Sequence, residues 1–441
     1  MTEVDILIKG AKVLAIDKAE NYFEDGFVAI KNGKIIDLGP TEKNTYIAKE
    51  TIDGYNKLCM PGLINTHTHA GMTLYRGAAD DLPLMAWLND HIWPLEARFG
   101  TESSVKAGTE LALVEMLRSG TTTFCDMYFF AEVVGDVAKD FGMRAVIGEG
   151  LIDFATPSMK TPDEGLKQMS MLAEKWRNEP LLPVAFSPHA PYSCNQDIIE
   201  KAKNRADDVN ALFHIHLSET KGELDQFLNE HKKSPVKYLD DLGVLDKNTI
   251  AAHCVHLSDE DMAIILERDM AVSHNPQSNM KISSGIAPID KLVKMGVRVG
   301  IATDGASSNN KLNMFEEMNF ASKLQKVSTC DATALDAKTS VRMGTSIGAD
   351  ILKIGDTCGS LEKGKDADMI LIDLDKPQLT PFYNPYSHII YSMNGSEVDT
   401  VIIRGKVIME KGIFKTIDEK EVIHKVRKIE KEIRSFQASR K

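Results

Sequence analysis

The sequence predicts an α/β protein: an eight-stranded parallel β/α barrel with a small β-sandwich built from both chain ends. Three observations predict it. Short apolar runs alternate with helical stretches through the middle of the 441-residue chain, β-rich segments flank that middle, and histidines collect where the apolar runs end. Alternating strand and helix signals are the mark of βα units around a parallel sheet. The composition, 43% hydrophobic and 26% charged, supplies an ordinary globular core.

Residues 1–56 read as the first part of the sandwich. Asp5–Ile16 is β-rich, and Phe27–Ile30 and Lys34–Leu38 flank Asn32-Gly33, a type I′ hairpin signal. Residues 57–352 read as the barrel, with strands expected at Cys59–Thr66, Thr121–Asp126, Arg144–Glu149, Pro183–Ser187, Ala211–Leu217, Thr249–His253, Met270–His274 and Val297–Thr303. Their near-continuous apolar character suits parallel strands buried on both faces. Eight such units over roughly 300 residues point to a TIM barrel. A doubly wound sheet is the alternative, but no glycine-rich nucleotide fingerprint supports it. Residues 353–413 return to the sandwich through Asp368–Asp373, Val401–Ile403 and Lys406–Met409, the last two joined by a turn at Arg404-Gly405. In residues 414–441, Val422, Ile423, Val426, Ile429, Ile433 and Phe436 recur at helical spacing, as in an amphipathic helix.

Charge narrows the partners. With 52 basic and 64 acidic residues the net charge is −12, which disfavours nucleic acid and anionic membrane surfaces. The first residues carry acids where a signal peptide needs bases, and no stretch has the length of a membrane span. The six cysteines are scattered, without a C-x-x-C pair, so the expected setting is a reduced, cytoplasmic one. Oligomeric state is left open, a homo-oligomer being compatible.

A barrel of this kind takes its chemistry from the C-terminal ends of its strands. Those ends hold His67, His69, His189, His214, His216, His253 and His274, seven of the twelve histidines, and the eighth strand ends at Asp304. Histidines two apart on a strand project the same way, so His67 and His69 share a face. Alone, an H-x-H pair is more often two partly exposed histidines. Three imidazoles and a carboxylate converging on the barrel axis, however, make a transition-metal site with room for a water. We assign His67, His69, His216 and Asp304. His214 shares a face with His216, and spacing alone cannot choose between them. Glu219, three residues beyond His216, favours His216, because a carboxylate there can reach back beside the metal. His214 then reads as a core histidine bonded to a neighbour.

These residues resemble a family. Pro61–His69, Trp93-Pro94-Leu95-Glu96, His214–Thr220, His253, His274–Lys281 and Thr303–Asn310 together resemble the amidohydrolase superfamily, in its mononuclear-metal deaminase branch. The nearest resemblance is to the deaminases of 5′-methylthioadenosine and S-adenosylhomocysteine, and Gly364–Met369 resembles the family's return into its sandwich. The resemblance implies metal-dependent hydrolytic deamination of adenine nucleosides, giving inosine derivatives and ammonia. One divalent transition metal per chain is implied, zinc first, with iron or nickel as alternatives. It further implies that Asp304 takes the attacking water's proton, that His253 holds the attacking oxygen, and that Glu219 protonates a ring nitrogen. Glu96 and His189 are implied contacts to the ribose hydroxyls. Trp87 and Trp93 are shared between core packing and the pocket wall.

One departure is expected to matter. Relatives often carry an arginine near the end of the third strand that can meet the homocysteine carboxylate. Here Glu149 stands in that neighbourhood and Arg144 is embedded in the strand. Repulsion by Glu149 would favour uncharged nucleosides unless Lys160 compensates. The alternatives are a guanine, cytosine or triazine hydrolase with the same metal set, a catalytically dead barrel, and a binuclear site bridged by a carboxylated lysine. The missing lysine in the fourth strand counts against the last.

Overall fold

The computed structural model describes residues 2–440 and contains two β-sheets. From the N-terminal side come β1 (Thr2–Leu14), β2 (Tyr22–Lys31), β3 (Lys34–Pro40), β4 (Tyr46–Asp53) and β5 (Lys57–Pro61). The barrel strands follow: β6 (Leu63–Thr68), β7 (Thr121–Tyr128), β8 (Arg144–Leu151), β9 (Val184–Pro188), β10 (Leu212–Leu217), β11 (Thr249–His253), β12 (Ala271–His274) and β13 (Val299–Ile301). The chain then returns through β14 (Met369–Asp373), β15 (Val398–Ile403), β16 (Lys406–Glu410) and β17 (Ile413–Phe414).

Both chain ends build one mixed nine-stranded sheet, ordered β17-β16-β15-β14-β5-β1-β2-β3 with β4 beside β1. Its hairpin between β2 and β3 turns on Asn32 (φ 53°) and Gly33 (φ 79°), the two positive values a type I′ turn requires. Ile6, Ile8, Val13, Val28, Ile30, Met369 and Leu371 enclose a core of its own. The second sheet runs β6 to β13 in sequence order, parallel throughout. Its edges meet where Asp304 N donates to His67 O (3.1 Å) and Thr66 Oγ1 to Ile301 O (3.1 Å), which brings the barrel round on itself.

The apolar run read as one strand, Cys59–Thr66, serves two sheets. β5 pairs antiparallel with β14, while β6 pairs with β7. Gly62 makes the crossing: a Cβ there would lie 2.1 Å from Thr122 Oγ1, so only glycine lets the chain pass. The strand expected over Val297–Thr303 also shortens, since Asp304 enters a left-handed conformation (φ 60°) just beyond it.

Arg144, 1% exposed, anchors the barrel to the terminal sheet. Its guanidinium donates to Asp368 Oδ2 (3.1 and 3.0 Å), Asp366 Oδ2 (2.9 Å) and Pro180 O (2.7 Å). Replacing it by Met strands two buried carboxylates, so denaturant unfolding is expected to show a loss of about 3–5 kcal/mol with turnover per folded molecule kept. A loss below about 1 kcal/mol would show the cluster is not structural.

The C-terminal helix, Glu419–Ser439, is capped by Asp418, whose side chain accepts from Glu421 N (3.0 Å). Val422 and Ile433 are buried, Phe436 meets the Phe99 ring edge-on, and Gln437 Nε2 donates to Ala78 O (3.0 Å). The amphipathic pattern thus packs on the body of the same chain. Among the described residues, no helix is long and apolar enough to cross a membrane.

Candidate active site

The strand ends of the barrel bring His67, His69, His216 and Asp304 together. His216 Nε2 lies 3.2 Å from His67 Nε2 and 3.3 Å from His69 Nε2, and Asp304 Oδ1 lies 3.5 and 3.2 Å from the same two atoms. Ligands about 2.0–2.1 Å from a tetrahedral metal stand about 3.3–3.4 Å apart, so these atoms are spaced as metal ligands are. The opposite ring nitrogens are engaged. His69 Nδ1 donates to Met127 O (2.5 Å) and His216 Nδ1 to His189 O (2.6 Å), which leaves each Nε2 its lone pair. His67 Nδ1 sits 3.0 Å from His214 Nε2. The residue that spacing could not place is therefore the partner behind His67.

Electrostatics suit a cation. Burial lowers His67 to about 4 and holds His216 well below the ordinary imidazole value, so both are neutral donors at pH 7. Burial also pushes His69 down, but the Asp304 carboxylate outweighs it and raises His69 to about 9. Asp304 itself, despite burial, is kept well below the carboxylate range by His67 and His69. The Asp304 carboxylate is the negative charge that a divalent cation among these nitrogens would offset. The donor set fits a divalent metal, and β9 carries no lysine to bridge a second one.

Two further residues reach the same point. Burial raises the Glu219 carboxyl above its usual value, and its Oε2 lies 3.8 Å from His253 Nε2. His253 Nδ1 donates to Asn279 Oδ1 (2.8 Å), so Nε2 faces the cavity. Proximity alone admits His253 beside His67 and His216 as a donor. Ser218 (φ 52°), His253 (φ 75°) and Asp304 (φ 60°) are all left-handed at their strand ends. Such strain costs about 1–3 kcal/mol per residue and collects at functional sites.

Beyond these groups opens a cavity of about 700 Å³. His69, His216, Asp304, His253 and Glu219 floor it, and Glu96, His189, Trp87, Trp93 and Tyr192 line its walls. Glu96 is 5% exposed; burial lifts its carboxyl to about 7, and Tyr128 OH donates to Oε1 (2.7 Å). His189 Nδ1 bonds Ser193 Oγ (2.7 Å). Seven of the eight residues expected from the sequence therefore border one space, and the eighth, His67, is fully buried beside His69 and His216.

Glu149 corrects an expectation. It is fully buried and accepts from Ala131 N (2.7 Å), Phe130 N (3.1 Å) and Ser158 Oγ (2.5 Å), so it caps the helix Ala131–Phe141. Gly150, its neighbour on the alternating strand, is the residue that lines the cavity. The repulsion foreseen for a homocysteine tail falls away. Lys160 is exposed and does not line the cavity, nor does any other Lys or Arg among the described residues.

Sequence reasoning passed over several supporting groups. Glu223 accepts from Ser218 N (2.9 Å) and Glu219 N (2.8 Å), pinning the bend that carries Glu219. The Thr220-x-x-Glu223 capping pattern was the available signal. Ser278 and Ser308 both donate to Asp304 Oδ2 (2.6 and 2.8 Å). Tyr128 and Asn279 announce themselves by no local pattern.

Three comparisons bear on this arrangement. The Amidohydrolase family profile matches residues 58–408. The 5-methylthioadenosine/S-adenosylhomocysteine deaminase of Syntrophobacter fumaroxidans is 44% identical over 435 residues, 98% of this chain and 99% of that protein. The 5′-deoxyadenosine deaminase of Methanothermobacter thermautotrophicus is 42% identical over 425 residues, covering 96% and 97% of the two chains. Among solved structures, an adenosine deaminase from Xanthomonas campestris with bound zinc superposes with a TM-score of 0.97 at 38% identity, over 98% of this chain and 99% of that one.

Proposed function

Because the chain belongs to the amidohydrolase family, we propose that its cavity hydrolyses the 6-amino group of adenine nucleosides, with His67 and the seven bordering residues as its machinery. It is a hydrolytic deaminase acting on adenine nucleosides such as 5′-methylthioadenosine and S-adenosylhomocysteine, with adenosine and 5′-deoxyadenosine as simpler cases. The products are the inosine derivative and ammonia. The observation that carries the substrate reading is Glu96: a buried carboxylate, opening with Glu219 onto one cavity, suits a ribose and a base held together.

His67, His69, His216 and Asp304 would hold one divalent metal per chain, zinc by preference, with iron or nickel compatible with the same donors. When bound, such an ion lowers the pKa of water from 15.7 to about 7 and so supplies a nucleophile at neutral pH. Asp304 accepts the proton that the attacking water gives up. His253, its Nδ1–H committed to Asn279, uses Nε2 to hold the attacking oxygen at C6. Glu219, whose carboxyl burial raises above its usual value, donates to a ring nitrogen and makes C6 electrophilic. The proton taken from water leaves with the amino group as ammonia, and the remaining hydroxyl proton returns to Glu219 as C6 becomes a carbonyl. Glu96 accepts from the ribose hydroxyls and His189 closes the other side.

An ammonia-release screen tests this reading. Adenosine, methylthioadenosine and S-adenosylhomocysteine are expected to react, with guanine and cytosine inert. The cavity wall carries no cation, so methylthioadenosine should exceed S-adenosylhomocysteine in kcat/KM. Guanine turnover above that of every nucleoside would replace the proposal with a base deaminase. Elemental analysis should return about one transition metal per chain.

Glu96→Ala is expected to lower kcat/KM for nucleosides about 10–100-fold, the worth of about 1.5–3 kcal/mol of charge-assisted hydrogen bonding. Free adenine should be unaffected. Equal losses for nucleoside and base would remove the ribose contact.

A further inference from the structure

Glu317 lies outside the cavity and plays no part in the chemistry above, yet its carboxylate is buried in an unusual way. It sits on the helix Met314–Thr329, fully buried, without a lysine, arginine or histidine paired to it. A buried carboxylate without a cation is costly unless hydrogen bonds offset the lost hydration. Three do. Gln277 Nε2 (2.7 Å) and Asn309 Nδ2 (2.6 Å) donate to Oε1, and Gln277 N (3.2 Å) donates to Oε2.

These partners are the chain neighbours of the two serines that hold Asp304. Gln277 precedes Ser278 and Asn309 follows Ser308. The two hydroxyls lie 3.0 Å apart and converge on Asp304 Oδ2. With both its lone-pair directions taken, Oδ2 is turned away from the histidines. Oδ1, which accepts from Gly305 N (2.8 Å), is the oxygen that faces His67 and His69. Asn309 Nδ2 also donates to Thr303 O (2.6 Å), tying the same clamp to the end of β13.

We propose that Glu317 is the positioning residue for Asp304: by clamping Gln277 and Asn309 it sets the serine pair so that the aspartate presents a single oxygen to the metal. The inference rests on the reading of His67, His69, His216 and Asp304 as the metal set. Glutamine could keep the oxygen that accepts from Gln277 Nε2 and Asn309 Nδ2, but its amide nitrogen would face the Gln277 N–H, a donor against a donor. Losing the bond to Gln277 N should loosen the clamp, free the serines to rotate and let Asp304 swing.

The test uses the full-length protein stripped of metal and titrated with Co²⁺, whose absorption spectrum reads coordination geometry. Wild type should bind about one Co²⁺ with a single defined visible spectrum, that of four protein donors and one water. In Glu317→Gln, Co²⁺ affinity should fall about 10–100-fold, as for other groups that orient metal ligands, with a weaker, shifted spectrum. At saturating metal, kcat should fall at least tenfold while KM changes less than threefold, by the same orienting effect. Gln325→Ala, which removes bonds to Asp290 N and Ala287 O on the same helix, controls for lost stability and should leave the spectrum unchanged. A Glu317→Gln protein with wild-type affinity, spectrum and kcat overturns the inference, as does a change matched by Gln325→Ala. If Glu317→Gln fails to fold, Asn309→Ala, which cuts one arm of the clamp, is judged by the same readings. Wild type that binds no Co²⁺ would instead refute the metal set itself.

Discussion

Glu219→Gln is expected to lower kcat by about 10³-fold while the bound metal and KM stay close to wild type. The side chain is isosteric, 5% exposed in the native protein, and accepts no hydrogen bond from a neighbouring side chain that glutamine would disrupt. Its backbone is pinned through Glu223, so the amide should take the position of the acid. What disappears is the exchangeable proton. Burial raises the native carboxyl, so it holds that proton at a pH where a free glutamate has lost it. General acid catalysis contributes about 10²–10⁴-fold, and here one group must both give and recover a proton. Steady-state kinetics beside metal analysis decide the matter. Turnover within tenfold of wild type would take Glu219 out of the mechanism; loss of metal would make it a ligand.

Asp304→Asn is expected to be more damaging still, because it removes two functions at once. The apparent affinity for the divalent metal should fall by more than tenfold, since a charged donor facing His67 and His69 is replaced by a neutral amide. Ser278 and Ser308 would also meet an amide in place of the anionic oxygen they both bond. Saturating metal should restore occupancy but not turnover, which stays down at least about 10³-fold for want of the proton acceptor. The measurement is activity against free metal, buffered with a competing chelator. Full recovery at high metal would reduce Asp304 to a ligand alone.

Much of the site was legible because strand geometry turns sequence spacing into direction. Along β6 the period of two puts His67 and His69 on one face, and along β10 it does the same for His214 and His216. It could not say which of the second pair approaches the first, since that depends on the register between strands 147 or more residues apart. The same period misled at Glu149. Neighbours Glu149 and Gly150 present opposite faces of the strand, and the structure turns the carboxylate to a helix N-terminus and the glycine to the cavity. The apolar run through Gly62 read as one strand because hydrophobicity is blind to a change of partner sheet; Thr122 pressed against Gly62 is what shows the crossing.

By itself, the sequence determined the eight-stranded barrel, the terminal strands that flank it, and the histidines and carboxylates at the strand ends. Those follow from local periodicity and side-chain chemistry, which every short window carries. Only the tertiary structure decided that His214 stands behind His67, that Glu149 caps a helix, and that Glu223, Tyr128, Ser278, Ser308 and Glu317 hold the reacting groups in place. Each of these depends on hydrogen bonds made at about 3 Å between segments far apart in the chain. Such distances come into being only when the barrel brings the strands together.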